Sequence, residues 1–221
     1  MIIAIDGPLG VGKSSVAKEV AKRLGFTYID TGAMYRALAL KTLKENIDIN
    51  DKKKLLNLLE NIDIQLDYTD GVLKVFLDGK DVSNEIRMEE VSKRASEVAS
   101  IKEVRDFMVN LQRKYGNKYK NIVIEGRDTG TVIFPNADLK IFLTAPLEVR
   151  IERRYKQLLE KGFKVDYDEF VKNFKEREHR DNTRKINPLR PAEDSIIIDS
   201  GNMTFEEVVE EITHLSKKVL S

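Results

Sequence analysis

The 221-residue chain has no cysteine, no tryptophan and only two histidines. Without cysteine there are no disulfides, no thiolate nucleophile and no cysteine-ligated zinc. His179 and His214 cannot by themselves make a histidine-rich metal site. Charge of one sign is lacking too. Lys and Arg number 38 against 37 Asp and Glu, a net charge of +1, so no global field draws in nucleic acid or a membrane surface. No apolar run approaches the length of a bilayer span, and the first strand-like segment follows Met1 directly. A soluble, cytoplasmic protein is the expectation. There are no repeats, low-complexity tracts or Pro/Ser-rich linkers, and the length suits one α/β domain with a modest insertion.

Five short apolar segments read as buried strands: Ile2–Asp6, Thr27–Asp30, Ile122–Glu125, Leu139–Thr144 and Ser195–Asp199. Helical patterns separate them, which implies a mainly parallel sheet covered on both faces. A helix over Ser14–Leu24 stops at Gly25, another over Glu148–Lys161 stops at Gly162, and the last opens on the capping-box pattern Thr204-Phe-Glu-Glu207. One region departs from this rhythm. Residues 62–68 alternate apolar and polar, Thr69-Asp-Gly71 supplies a turn, Val72–Leu77 follows, and Asp78-Gly79 supplies a second tight turn. An antiparallel hairpin is expected there, flanked by helices over about 51–60 and 89–115.

Between the first strand and the first helix lies Gly7-Pro8-Leu9-Gly10-Val11-Gly12-Lys13-Ser14, a complete G-x-x-x-x-G-K-[ST] phosphate loop in its proper strand–loop–helix setting. Its glycines let successive N–H groups turn inward. The helix start adds its positive dipole end, Lys13 reaches the β and γ oxygens, and Ser14 offers a hydroxyl to Mg²⁺. The chain is therefore expected to bind a nucleoside triphosphate.

Three further clusters concern what receives the phosphoryl group. Asp30-Thr-Gly-Ala-Met-Tyr-Arg36 follows the second strand, at the carboxyl end of a sheet where ligands of open α/β folds sit. Arg36 near a helix start gains nothing from the dipole, so an incoming anion would explain it. Glu125-Gly-Arg-Asp-Thr-Gly130 follows the third strand; Arg127 can grip phosphate as a fork and Asp128 can accept hydrogen bonds from a substrate, or the two could form a minor local ion pair. Asp166-Tyr-Asp-Glu169 reads as an N-cap and acidic first turn. The stripe that follows changes from Phe170 and Phe174 to Arg177, Asp181 and Arg184, with Arg180 one position off it and Arg153 and Arg154 on the preceding helix. This is either a solvated charged face or a lid turned toward polyphosphate. The break Lys161-Gly162-Phe163 would let it move. Lys13, Arg36, Arg127, Arg177 and Arg184 together suit phosphoryl transfer, in which positioning and charge neutralisation do most of the catalysis.

Together with Pro188-Leu189 and Ala192–Asp199, these blocks resemble the bacterial-type cytidylate kinase family, from residue 2 to the last helix. The resemblance implies a P-loop nucleoside monophosphate kinase fold: a five-stranded parallel sheet of order 2-3-1-4-5 covered by helices, with a small antiparallel β insert and a helical lid. In one kinase domain the core would take about 1–35, 116–152 and 186–221, the acceptor-binding insert 36–115 with its hairpin at 62–82, and the lid 153–185. ATP with Mg²⁺ would be the donor and CMP or dCMP the acceptor. Gly7, Pro8, Leu9, Gly10, Val11, Gly12, Lys13, Ser14, Ser15 and Arg153 or Arg154 would meet ATP, with the loop around Ser200–Met203 close by. Arg36 and Arg127 would hold the CMP phosphate. Thr31, Arg105, Asp128 and Arg184 would surround the cytosine, with Tyr35 in the same pocket, and Ser96, Arg177 and Asp181 would meet the sugar. Lys13, Arg127, Arg177 and Arg184 would carry catalysis, with Ser14 on the metal directly or through water. Glu125 departs from the Walker-B-like Asp familiar at the third strand's end. A carboxylate at 128 independently suits cytosine, whose N4 amino group donates where uracil has a carbonyl. A monomer with no nucleic-acid or membrane partner is expected. Other readings are a small P-loop kinase for UMP, AMP, shikimate or dephospho-coenzyme A, and a nucleotide-binding module without catalysis.

Overall fold

The computed structural model describes residues 1–160 and 162–220. In chain order the elements are β1 (Ile2–Asp6), α1 (Lys13–Leu24), β2 (Thr27–Asp30), α2 (Thr31–Lys44), α3 (Lys52–Asn61), β3 (Ile64–Thr69), β4 (Val72–Leu77), β5 (Lys80–Asp81), α4 (Glu89–Val98), α5 (Lys102–Lys118), β6 (Ile122–Gly126), β7 (Leu139–Thr144), α6 (Leu147–Glu160), α7 (Tyr167–Thr183), β8 (Ile196–Asp199) and α8 (Phe205–Leu220). A 3₁₀ turn at Glu85–Arg87 precedes α4, and a single π-helical turn at Thr129–Ile133 follows β6. The helix end read at Lys161 lies outside the described residues.

The main sheet is parallel with order β2-β6-β1-β7-β8, which is 2-3-1-4-5 when its own strands are counted in sequence. Side chains alternate across each strand, so the strands feed two cores. Ala4, Ile29, Ile122 and Ile124 join the core formed with α2, α4 and α5. Ile3, Ile5, Tyr28 and Val123 join the core formed with α1 and α8. Register then brings the chemistry together, because Asp6 pairs with Gly126 and Asp30 with Glu125. The segments leaving β1, β2 and β6 therefore start side by side at the carboxyl ends of the strands.

The hairpin is extended by the two-residue β5 into a three-stranded antiparallel sheet. The stretch read as one helix over 89–115 is two. α4 ends at Val98, the tight bonds Ser100 N to Glu97 O and Ile101 N to Val98 O close its last turn, and α5 starts at Lys102. Arg105 donates to the Ala99 carbonyl and so caps the end of α4. The Thr204–Glu207 capping box and the Asp166 N-cap both form.

Candidate active site

Gly10 and Gly12 hold left-handed backbone (φ 78° and 95°), where an L side chain would be strained. The loop they turn leads into α1 with Gly12 as its N-cap. Lys13 is buried and donates to the Pro8 carbonyl at 2.8 Å. Burial pushes its ammonium well below the usual lysine range and the Arg127 charge adds to that, against the pull of Glu125 and Asp6. Ser14 donates to Glu125 at 2.7 Å, and the Tyr28 hydroxyl donates to the same carboxylate oxygen at 3.3 Å. Burial and the neighbouring Asp30 push the Glu125 carboxyl up. Asp6, also buried, accepts the backbone N–H groups of Thr129 and Gly130 and so ties β1 to the segment after β6.

The other end of the cleft is built from arginines and aspartates. Asp30 caps α2 through the N–H of Ala33 and takes Arg36 at 2.9 Å. Arg105, 1% exposed, forms a buried ion pair with Asp128 and lies over the Tyr35 ring, 5.6 Å from its centroid. Arg127 reaches across to Asp181 on α7 at 3.2 Å. Burial alone would raise the Asp181 carboxyl, but Arg127, Arg177 and Arg184 hold it below the usual range. Arg177 is lowered to about 10 by burial, with Arg127, Arg36 and Arg154 adding repulsion. Arg180 donates to the Ser96 hydroxyl at 2.9 Å, and Arg184 donates to the Asn187 carbonyl at 2.7 Å. Arg177 Nε, Arg184 Nη2 and the Tyr35 hydroxyl are buried without a hydrogen-bond partner. Polar groups seldom remain so unless something else satisfies them.

Both ends open into one cavity of about 530 Å³. A pocket of that size suits small molecules. Here residues of the glycine-rich loop and an arginine cluster line the same space.

A family model described as cytidylate kinase matches residues 3–218. The chain belongs to the cytidylate kinase family. Cytidylate kinase of Caldicellulosiruptor bescii is 49% identical over 218 residues, covering 99% of this chain and 96% of that protein. The cytidylate kinase of Caldicellulosiruptor saccharolyticus is 50% identical over 218 residues, with the same two coverages. A solved structure of an uncharacterised protein from Eubacterium ventriosum superposes with a TM-score of 0.53 at 17% identity, covering 99% of this chain and 98% of that one, which is a likeness of fold.

Within this family frame, most residues singled out from the sequence line the cavity: Leu9, Gly10, Gly12, Lys13, Ser14 and Ser15 at one end, and Thr31, Tyr35, Arg36, Ser96, Arg105, Arg127, Asp128, Arg177, Asp181 and Arg184 at the other, with Arg153 and Arg154 beside them. Gly7, Pro8 and Val11 do not line it. Gly7 lies so close to the Leu143 carbonyl that a Cβ would overlap it, Val11 is in the core, and Pro8 serves through its carbonyl. The local Arg127–Asp128 pair does not form, since each residue pairs elsewhere. Arg153 donates to the hydroxyl and carbonyl of Ser200, bringing that loop to the cleft. Sequence reasoning singled out Glu125 with its part left open and named Asp30 only as the start of a cluster; both line the cavity, as do Lys156, Gln157 and Glu160, which it missed. The last three follow Arg153 at +3, +4 and +7 on α6, a spacing that would have found them.

Proposed function

We propose that the protein transfers the γ-phosphoryl group of ATP to CMP or dCMP, giving ADP and CDP or dCDP. The observation that carries this reading is the pairing, across one cavity, of the phosphate loop with a base pocket centred on the Arg105–Asp128 ion pair. The loop amides and Lys13 take the donor phosphates, and Arg36 and Arg127 take the acceptor phosphate. Arg177 and Arg184 bring unpartnered donors to the charge that spreads over the transferred group. The acceptor phosphate oxygen is already anionic near neutral pH, so no general base is required. Asp128 accepts from the cytosine amino group while Arg105 pairs with its other side in a buried place, and Thr31, Tyr35 and Arg184 close the pocket around the base. Ser96, Arg177 and Asp181 face the sugar, with Arg180 fixing Ser96.

Among the described residues no group of three or more His, Asp or Glu could hold a metal ion. A cation bound by one serine, phosphate oxygens and water is what this site can offer, and Mg²⁺ accepts that arrangement readily. Ser14 would hold it, with Glu125 orienting the Ser14 hydroxyl. When bound, the ion would offset part of the negative charge of the phosphates.

The remaining assignments are a core, an insert spanning about 36–115, a lid at 153–185 that closes over bound nucleotides, a monomeric state and a cytoplasmic location without nucleic-acid or membrane partners. No helix among the described residues is long and apolar enough to cross a membrane. The test is ADP production from ATP and Mg²⁺ with CMP, dCMP, UMP, AMP and shikimate as acceptors. CMP and dCMP should lead. Preference for another acceptor would move the protein to a sister activity, and ATP binding without turnover of any acceptor would leave a binding module.

A further inference from the structure

Arg150 does not line the cavity, yet its guanidinium joins three separate parts of the site. It stands in the first turn of α6, its N–H bonded to the Pro146 carbonyl. From there its Nε donates to the Ala145 carbonyl at 2.9 Å, just past the end of β7. Nη1 donates to the Leu9 carbonyl in the phosphate loop at 3.1 Å, and Nη2 donates to Glu178 on α7. The Arg150 and Glu178 side chains are only 7% and 17% exposed, so water screens the pair little.

The contact with the loop is two-sided. A Cβ on Gly10 would overlap the Arg150 main-chain carbonyl, so the Leu9–Gly10 peptide rests directly on this helical turn. A trans peptide is planar, with its C=O and N–H pointing in opposite directions. Holding the Leu9 carbonyl toward Arg150 therefore turns the Gly10 N–H away from it, to the side where Gly10 lines the cavity. On the other arm, Glu178 lies one residue after Arg177 and three before Asp181, so the ion pair sets how α7 sits over the cleft.

The geometry points to Arg150 as a positioning residue for phosphoryl transfer: it aims the Gly10 N–H at the donor phosphates and, through Glu178, places the helix that carries Arg177 and Asp181. Lysine cannot replace it, because one ammonium lacks the planar fork that reaches three directions at once. This deepens the kinase reading and rests on it. A buried ion pair that served only folding would change the melting temperature and leave the kinetics alone.

The experiment compares wild type, Arg150→Lys and Glu178→Gln, with ADP binding measured by calorimetry without acceptor, steady-state kinetics for ATP and CMP, and thermal melts. Arg150→Lys should weaken ADP binding about tenfold and lower kcat about tenfold, the scale that follows from slight misplacement of reacting groups. Glu178→Gln frees only the lid arm, so it should lower kcat several-fold while ADP binding stays within about twofold of wild type. Melting temperatures that fall with unchanged kcat and unchanged ADP binding would overturn the assignment. So would loss of ADP affinity in Glu178→Gln equal to that in Arg150→Lys, because the two arms would then not be separate. Failure of wild type to phosphorylate CMP would count against the kinase reading, while the ADP-binding comparison would still test the loop arm.

Discussion

The two ends of the cavity are made of different material. The donor end is main chain: one run of residues, two left-handed glycines and a helix start, with Lys13 folded onto a carbonyl of its own loop. The acceptor end is side chain. Arg36 comes from α2, Ser96 from α4, Arg105 from α5, Arg127 and Asp128 from the segment after β6, and Asp181 from α7, joined through hydrogen bonds and ion pairs of which Arg105–Asp128 is the most deeply buried. A main-chain site depends on backbone shape and answers to neighbouring side chains only where they hold that backbone, as Arg150 holds the Leu9 carbonyl. A side-chain site is only as good as each partner, and deleting one member of a buried pair leaves a charge uncompensated, at a cost of about 3–5 kcal/mol. Substitutions at the donor end should therefore change rate without stability, and those at the acceptor end should change both.

Lys13→Ala should give the largest effect. On the proposed reading its ammonium meets charge that grows during transfer, and its loss should lower kcat by about 10³-fold. The folded protein loses one hydrogen bond to Pro8 and sheds a buried charge, so the melting temperature should not fall. Kinetics and a parallel melt decide it. Near-normal turnover in a folded variant would remove Lys13 from the reaction.

Asp128→Asn should strike both properties. Asn keeps the size but gives up the charge that Arg105 faces. CMP kcat/KM should fall by about 10²-fold, and the CMP-to-UMP ratio should narrow by roughly tenfold, because the amide can turn a donor to the uracil carbonyl. The melting temperature should drop as well, by about 2–4 °C per kcal/mol lost in a domain of this size. An unchanged ratio would leave base recognition to Arg105 and Arg184.

Asp181→Asn separates charge from shape. The folded carboxyl titrates below its unfolded value because Arg127, Arg177 and Arg184 outweigh burial. A depressed carboxyl contributes stability above its unfolded pKa and loses it as pH falls through the folded one. Wild type should melt higher than Asp181→Asn at pH 7, and the gap should narrow as the buffer is taken below the ordinary aspartate range of about 3.9. A gap independent of pH would assign the effect to hydrogen-bond geometry.

Most of the sheet was legible because buried parallel strands are short apolar runs punctuated by Gly, Asp or Thr, as at Ile2–Asp6 and Leu139–Thr144. The break between α4 and α5 was not, since Val98-Ala99-Ser100-Ile101 carries no Gly or Pro. There Arg105, in the first turn of α5, reaches back to the Ala99 carbonyl, a contact that no short-range signal announces. β5 has two residues, too few for a pattern. The phosphate-loop motif could be read because its residues are consecutive. Arg36, Arg127 and the α7 stripe announced an anion site, but Arg105 and Ser96 came only through resemblance to the family, because no local pattern marks a side chain that acts across the fold. Glu125 stood out as an oddity, and strand register alone, setting it beside Asp30, makes it a cleft carboxylate.

Gly116 offers the smallest effect and the sharpest test of the division between the two ends. It lies in α5 with ordinary helical backbone, so its need for glycine is one of space: a Cβ there would overlap the Phe134 ring. Phe134 in turn closes the π-helical turn, its N–H bonded to the Thr129 carbonyl at 2.7 Å, while Arg113 on the same helix grips the carbonyls of Val132 and Ile133. This face of α5 holds the turn that follows Arg127 and Asp128. Gly116→Ala gains about 1 kcal/mol of helix propensity and loses about 1–3 kcal/mol to overpacking, so the melting temperature should fall by a few degrees at most. The displaced ring should nudge the segment after β6, raising KM for CMP about threefold, a mild case of misplaced binding groups. KM for ATP should hold, because the donor amides hang from β1 and α1, and contact with the segment through Asp6 leaves the loop's own bonds intact. Equal rises in both KM values would mean that the two ends move as one body through Asp6, and the contrast between a main-chain site and a side-chain site would then hold for their construction but not for their response.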